Sequence, residues 1–165
     1  MEHDGGKKWE EIGLGGSKGM NTGEFHIALD EKGRLLMPSR IRNELRGNSV
    51  VITRAIDRCL WVFPPDEWRE FSAKLMNASS PFSRRGRLLQ RRIIAPAQEV
   101  EFDKTGRLNI PKSLQDSSVL VRDCTLLVME RYMEVWDAGA YEAYEAESEA
   151  ELQEAAEELG GLVSF

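Results

Sequence analysis

The feature that most constrains this sequence is a short motif that occurs twice. Residues 30–38 read Asp-Glu-Lys-Gly-Arg-Leu-Leu-Met-Pro, and residues 103–111 read Asp-Lys-Thr-Gly-Arg-Leu-Asn-Ile-Pro. Asp, Gly, Arg, Leu and Pro recur in the same order, 73 positions apart. One Asp-x-x-Gly-Arg is a common turn, but two copies followed by the same Leu-x-x-Pro indicate an internal duplication. The chain is therefore predicted to fold as two similar halves.

A strand is predicted before each copy of the motif. Phe25, Ile27 and Leu29 alternate with polar or small residues before the first copy. Val100 and Phe102 alternate with glutamates before the second. This period of two is typical of a half-buried strand.

The motif itself is predicted to form a tight turn followed by a second short strand. Asp30 and Asp103 open the turn, where a carboxylate can accept backbone N–H bonds. Gly33 and Gly106 supply the positive φ that such turns often need. The apolar residues that follow each arginine then predict the second strand of a hairpin.

A helix is predicted after each hairpin, because Pro38 and Pro111 suit the first position of a helix. Ile41 and Leu45 follow Pro38 at helical spacing. Leu114 is the lone apolar counterpart in the second half, so that helix is expected to be shorter.

A further hairpin is predicted in each half, from residues 50–52 with 60–63 and from residues 126–128 with 133–136. Each half therefore reads strand–turn–strand–helix–strand–turn–strand, followed by a C-terminal helix. We place the first repeat at residues 20–97, with a helical hairpin, and the second at residues 98–165, with an acidic C-terminal helix. Residues 1–19 are glycine-rich and are expected to be a disordered extension, with translation starting either at Met1 or at Met20.

This unit resembles the AbrB-like, swapped-hairpin DNA-binding superfamily, and its doubled form is similar to the MraZ family of bacterial transcriptional regulators. The resemblance rests on Asp-x-x-x-Arg in both halves, met by Asp30 with Arg34 and by Asp103 with Arg107. Residues 23–34, Gly-Glu-Phe-His-Ile-Ala-Leu-Asp-Glu-Lys-Gly-Arg, are very close to the family's opening sequence. The resemblance implies an α+β fold in which two tandem repeats interlock into one pseudo-two-fold small β-barrel.

The resemblance also implies a regulator of the cell-division and cell-wall gene cluster, including its own promoter. The expected partners are double-stranded DNA with tandem short repeats and further copies of the chain in a ring. Linked weak contacts would gain avidity on such DNA. No cofactor, metal or small-molecule substrate is expected.

The turns have the chemistry that DNA recognition needs. Arg34 and Arg107 can each offer a planar fork to guanine O6 and N7. The basic residues expected to contact phosphates are Lys32, Lys104, Arg40 and Arg42. Asp30, Gly33, Asp103 and Gly106 are expected to shape the turns. The alternative interpretation is that Asp and Arg form only a structural clasp.

The two copies are not equivalent around the turns. Arg42 follows Pro38 closely and is expected to support the first turn. Gln115 occupies the equivalent position in the second half. The first turn is therefore expected to contribute more to affinity.

The charge distribution is compatible with DNA binding although the net charge is −6. Residues from 132 onward contain ten acids and no Lys or Arg, so residues 1–131 carry a balance of +4. The acidic helix, predicted over residues 141–159, is either a solvated face or a surface that repels DNA or contacts another subunit.

Five arginines occur within residues 84–92, in a helix that is expected to start at Ser80-Pro81. They either bind phosphates or form a solvated face with partners among the acids.

Other classes of protein fit this sequence less well than a DNA-binding regulator does. Only two histidines occur, no Gly-rich phosphate loop appears, and no metal-ligand spacing is present, so an enzyme is not predicted. Cys59 and Cys124 lie in apolar hairpins and are expected to be small buried residues. No apolar run approaches a membrane span. We expect a cytoplasmic, nucleoid-associated protein, and the alternative is an oligomeric protein-interaction module of the antitoxin-like AbrB type.

Overall fold

A computed structural model describes residues 19–163, so the predicted extension lies outside the described residues except for Gly19. The fold is mixed α+β and antiparallel. Its strands are β1 Gly23–Ala28, β2 Arg34–Leu36, β3 Ser49–Arg54, β4 Leu60–Phe63, β5 Gln98–Glu101, β6 Arg107–Asn109, β7 Asp123–Val128 and β8 Met133–Asp137. Its helices are α1 Ser39–Glu44, α2 Pro65–Ala78, α3 Arg84–Leu89, α4 Lys112–Ser117, α5 Ala138–Glu147 and α6 Glu149–Gly160, with a π-helical turn at Gln90–Ile94.

The predicted order of elements is confirmed in both halves. The two short helices each follow a proline, and both are six residues long. The expectation of a shorter second helix is therefore wrong. Leu45, on which that expectation rested, lies just after α1, so Ile41 and Leu114 are each the one buried anchor of their helix.

Strands from the two halves pair with each other in both the large sheet and the small ribbon. In the six-stranded sheet, ordered β1-β7-β8-β4-β3-β5, the first strand of each half pairs with the third strand of the other. β4 pairs with β8 across the pseudo-two-fold axis. β2 and β6 pair with each other and form a separate two-stranded ribbon. Neither half therefore contains a complete sheet of its own.

The described strands form an open six-stranded sheet and a separate two-stranded ribbon, so the predicted small β-barrel is not confirmed. In the described residues, the isolated bridges Leu29–Leu35 and Phe102–Leu108 link the ribbon to the two edges of the large sheet. The turn motif explains this, because the chain reverses immediately after Leu29 and Phe102 and leaves room for only one bridge on each side. The ribbon formed by β2 and β6 is therefore a layer of its own.

The main core is shared by the two halves. Leu35 and Leu108 are fully buried beneath the ribbon, and Ile41 and Leu114 fix the short helices to the same core. Full burial of such a side chain stabilises the folded state by about 1.5–3 kcal/mol. The position and tilt of the ribbon are therefore tied to the core of the whole molecule.

The segment between the halves is helical, as predicted, but its second helix starts later. α2 packs Trp68 and Phe71 on Phe63, with ring centroids 5.2 and 5.1 Å apart. The next helix begins at Arg84, where the Ser83 side chain accepts the Gly86 N–H, and not at Ser80-Pro81. The backbone of residue 80 lies directly on Gly86, where a Cβ would come within 2.3 Å of its carbonyl oxygen. Residues 80–82 consequently form a turn beside the helix.

The acidic C-terminal segment is helical but consists of two helices, α5 and α6, that meet at Ser148. Asp137 caps the first of them by accepting the Ala140 N–H at 3.0 Å. Trp136 packs on Tyr144 with centroids 4.9 Å apart, whereas α6 has no buried residue. In residues 19–163, no helix is long and apolar enough to cross a membrane.

Candidate nucleic-acid interface

The β2–β6 ribbon brings the two copies of the motif side by side. Its register pairs Arg34 with Asn109, Leu35 with Leu108, and Leu36 with Arg107. Because neighbouring residues on a strand face opposite sides, the two buried leucines point inward and the other four side chains point outward. Both arginines therefore lie on one outer face of the molecule.

The first turn, residues 30–34, is braced by its aspartate. Oδ1 of Asp30 accepts the backbone N–H groups of Lys32 and Arg34, both at 2.9 Å. Oδ2 accepts Nε of Arg34, also at 2.9 Å, while Gly33 adopts a φ of 76°. The hydrogen bond from the Arg34 backbone is the main reason that the pKa of Asp30 lies below its ordinary value. Nη1 of Arg34 lies 4.0 Å from Asp103 Oδ2 of the other turn.

The second turn, residues 103–107, uses the same backbone bonds but holds its arginine differently. Oδ1 of Asp103 accepts the N–H groups of Thr105 and Arg107 at 2.9 Å and the Thr105 hydroxyl at 2.8 Å. The hydrogen bond from the Arg107 backbone is the main cause of the lowered pKa of Asp103. Within residues 19–163, the Arg107 side chain forms no ion pair, unlike Arg34.

Each turn is supported by the short helix of the opposite half. Arg42 on α1 donates from Nε to the Met37 carbonyl at 3.1 Å, and its guanidinium covers Gly106 so closely that a Cβ there would lie 2.4 Å from Cζ. Gln115 on α4 covers Gly33 in the same way and donates to the Ile110 carbonyl at 2.7 Å. Arg42 was expected beside the first turn; it lies against the second, because the paired ribbon carries each helix across to the other turn.

Because Arg42 lies against the second turn and Gln115 against the first, the two turns differ in charge. A groove of about 410 Å³ beside the second turn is lined by Arg42, Lys104 and Asp103 together with neutral groups. A groove of about 400 Å³ beside the first turn is lined by Glu31, Lys32 and Lys112. Lys112 is paired with Asp116 at 2.9 Å, which offsets its charge. Arg42 therefore lies beside the second turn, which is the more cationic of the two, and the contribution of each turn to affinity stays a prediction.

Of the other residues predicted to contact DNA, Lys32 and Lys104 differ from Arg40 in their hydrogen bonds within the protein. Lys32 and Lys104 are exposed at the tips of the turns. Arg40 donates from Nη2 to the carbonyls of Asn21 and Thr22 at 2.9 and 3.3 Å, and its guanidinium lies 4.9 Å from the ring centroid of Phe25. Arg40 thus holds the N-terminal strand to α1, a role that the sequence pattern did not indicate.

The arginine-rich segment makes backbone contacts within the described chain. Arg92 donates to the carbonyls of Ala55 and Asp57, at 2.9 and 3.3 Å, and Arg87 donates to that of Pro81 at 3.0 Å. In the described part of the chain, none of the five arginines forms an ion pair with the acidic C-terminal helices.

Side chains that could hold a metal ion or act as a nucleophile also occur among the described residues outside the ribbon. Among residues 19–163, no three His, Cys, Asp or Glu side chains are grouped so that they could hold a metal ion. Cys59 and Cys124 are buried, and burial raises the pKa of both thiols, to about 11 for Cys124. His26 is exposed on β1. The polar outer face of the ribbon is therefore the strongest candidate site.

The fold and this site define a class: a tandem-repeat protein whose halves pair their strands with each other and carry an arginine after each of two similar turns. The family model for MraZ protein, which is described as antitoxin-like, matches residues 20–92 and again residues 93–161. The chain belongs to the MraZ family.

Similar proteins cover nearly the same length. The Transcriptional regulator MraZ of Treponema denticola is 48% identical over 141 residues, which are 86% of this chain and 98% of the relative. That of Treponema pallidum subsp. pallidum is 45% identical over 141 residues, 86% of this chain and 95% of the relative. The Lactobacillus gasseri protein of the same name is 34% identical over 144 residues, 87% and 99% of the two chains.

Proposed function

We propose that this protein is a sequence-specific, DNA-binding transcriptional regulator and not an enzyme. The observation that carries the proposal is the ribbon register, which puts Arg34 and Arg107 on one outer face, beside grooves that contain Lys32 and Lys112 on one side and Arg42 and Lys104 on the other. A two-stranded ribbon is narrow enough to enter the major groove of DNA. The names of the relatives support the same function.

The proposed role of each residue follows from its position in or beside the turns. Arg34 and Arg107 read guanine, while Lys32, Lys104, Arg42 and Arg40 contact phosphates. Asp30, Gly33, Asp103 and Gly106 shape the turns. Because Arg107 forms no ion pair in residues 19–163 and lies in the more cationic turn, we expect the second turn to contribute more to affinity than the first.

The proposed target is the cell-division and cell-wall gene cluster, including the promoter of this protein's own gene. DNA with tandem short repeats would suit a ring of several copies, each of which binds weakly. Arg84, Arg85 and Arg91 are exposed and carry a charge opposite to that of the acidic α6, which supports head-to-tail association. This function would place the protein in the cytoplasm with the nucleoid.

We also propose that the exchanged pairing of β1 with β7 and of β5 with β3 is the swapped-hairpin arrangement of the AbrB-like superfamily. The units of this arrangement would be residues 20–97 and 98–165. Each unit lacks a partner strand that the other supplies, so neither unit is expected to fold alone.

The test is a titration of the protein with the DNA immediately upstream of its own gene, at two salt concentrations. Replacing Arg107 by Ala should weaken specific binding by about 1–3 kcal/mol and Arg34→Ala somewhat less. Arg69→Ala, which removes an exposed arginine of α2, is the matched control and should bind normally. Normal binding by the Arg34→Ala, Arg107→Ala double variant would refute the proposed role of the turns.

An antitoxin-like protein-interaction module is the second candidate, and the exposed acidic α6 with Leu152 and Leu159 favours it. The salt dependence separates the two functions. Phosphate binding weakens steeply as salt rises, because bound cations are released from DNA when the protein binds. DNA affinity that is absent at low salt would favour the interaction module.

A further inference from the structure

The outer face of the ribbon carries two residues besides its arginines. Leu36 is 50% exposed, although it lies on a strand between two fully or nearly fully buried residues, Leu35 and Met37. Asn109 is also exposed. Within residues 19–163, the Asn109 side chain forms no hydrogen bond, whereas Asn48 and Asn21 use theirs to hold other segments.

Neither residue is explained by the stability of the ribbon. Asn is unfavourable in strands, and a half-exposed leucine gains little from burial. The inner side of the ribbon is already filled by Leu35 and Leu108. Both side chains therefore face the space that DNA would occupy under the proposed function.

The register places these residues in two unlike cross-strand pairs. Asn109 is directly opposite Arg34, and Leu36 is directly opposite Arg107. Such directly opposed residues have Cβ atoms about 4.5–5.5 Å apart, which is close enough to contact neighbouring bases. The backbone of the ribbon is pseudo-symmetric, but the chemistry of its two ends is different.

We propose that Leu36 and Asn109 are specificity-determining residues and that they make the recognised DNA sequence asymmetric. An Asn side chain can bind adenine N6 and N7, and an apolar side chain can contact the thymine methyl group. Asn109 beside Arg34 thus selects an adenine next to a guanine, whereas Leu36 beside Arg107 selects a thymine next to a guanine. The inference rests on the proposed function, since it needs the ribbon to lie in the major groove.

The clasp between Arg34 and Asp30 fits this arrangement. Asp30 accepts Nε of Arg34, and Nη1 lies 4.0 Å from Asp103 Oδ2, so the carboxylates of both turns hold the guanidinium in place. An arginine held in this way presents its fork in a fixed direction beside Asn109. The two side chains can then read adjacent base pairs from one position of the ribbon.

The experiment is selection of bound sequences from a random double-stranded DNA pool by the full chain and its variants. Asn109→Ala should lose the adenine preference at one position by about 5- to 150-fold and leave the other positions unchanged. Leu36→Ala should lose a thymine preference at a different position. Leu36→Asn should convert that thymine preference into one for adenine.

Two control variants match the changes in size and exposure. Leu88, on α3, is 51% exposed, and Asn77, on α2, is also exposed, so Leu88→Ala and Asn77→Ala should select the wild-type sequence. Circular dichroism and size-exclusion profiles check that every variant keeps its fold and assembly.

The outcomes separate the inference from the function on which it rests. A wild-type protein that selects no sequence would refute the proposed function itself. A wild-type protein with a clear preference that Asn109→Ala and Leu36→Ala both retain would overturn the inference alone. Equal loss of affinity for all sequences in both variants would also overturn it, because that is the effect of a structural role.

Discussion

Replacement of Gly106 by Ala tests the contact between Arg42 and the second turn. Two effects act at this position. The residue has a φ of 83°, which strains any residue with a Cβ. The new Cβ would also lie 2.4 Å from the Arg42 guanidinium carbon, so that side chain must move.

The magnitude of each effect can be assigned from the structure. A positive φ costs an alanine about 1–2 kcal/mol. Displacing Arg42 breaks the hydrogen bond from its Nε to the Met37 carbonyl. Such a bond contributes about 1 kcal/mol net, and the flexible side chain limits the further cost. The unfolding free energy of Gly106→Ala should therefore fall by about 2–3 kcal/mol.

Gly47 is the matched control for the backbone effect. Its φ is 89°, but among the described residues no atom outside its immediate chain neighbours lies within 4 Å of its Cβ position. Gly47→Ala should therefore lower the unfolding free energy by about 1–2 kcal/mol only. Urea unfolding followed by circular dichroism measures both variants, and repeating Gly106→Ala in an Arg42→Ala background removes the side-chain contact.

A double-mutant cycle measures the coupling between Gly106 and Arg42. In the Arg42→Ala background, the cost of Gly106→Ala should fall to that of Gly47→Ala, which gives a coupling of about 1 kcal/mol. If Gly106→Ala and Gly47→Ala are equally destabilising in the wild-type background, Arg42 does not lie against the second turn.

Three further predictions concern titration, the core and the thiols. Because the folded-state pKa of Asp30 lies below its ordinary value of 3.8, its charge stabilises the fold above that pH, and the stabilisation is lost as the pH falls through the folded-state value. Asp30→Asn should therefore reduce the pH dependence of unfolding below about pH 4, as should Asp103→Asn. Thr53→Val removes the buried hydroxyl that donates to the Ile93 carbonyl, and chemical denaturation should show a loss of about 1–3 kcal/mol. A thiol reagent at neutral pH should react slowly with Cys124 until denaturant is added, because burial raises its pKa to about 11; fast reaction of the folded protein would contradict its burial.

Local patterns in the sequence predicted most of the elements. The alternation before Asp30 and Asp103, the glycines at positive φ and the helices after Pro38 and Pro111 all depend on a few neighbouring residues, and the structure confirms them. The start of α3 was predicted wrongly, because it depends on the packing of Gly86 against residue 80, which no local pattern reports.

The candidate site also depends partly on local sequence and partly on how the strands pair. The paired motif identified Arg34 and Arg107, but Leu36 and Asn109 join them only through the register of β2 with β6. Period-two alternation from the buried Leu35 and Leu108 could have indicated their outward direction. The partner of each could not be predicted, since the turn motif says nothing about which strand lies opposite.

The repeated motif by itself determined that the chain has two similar halves, each with a turn shaped by Asp and Gly and followed by an Arg. The tertiary structure decided how those halves combine. Strand exchange brings Arg42 to Gly106 and Gln115 to Gly33, so each turn is completed by the opposite half. The physical reason is that hydrogen bonds within a turn join residues close in sequence, whereas strand pairing joins residues far apart, and only the folded core fixes that pairing.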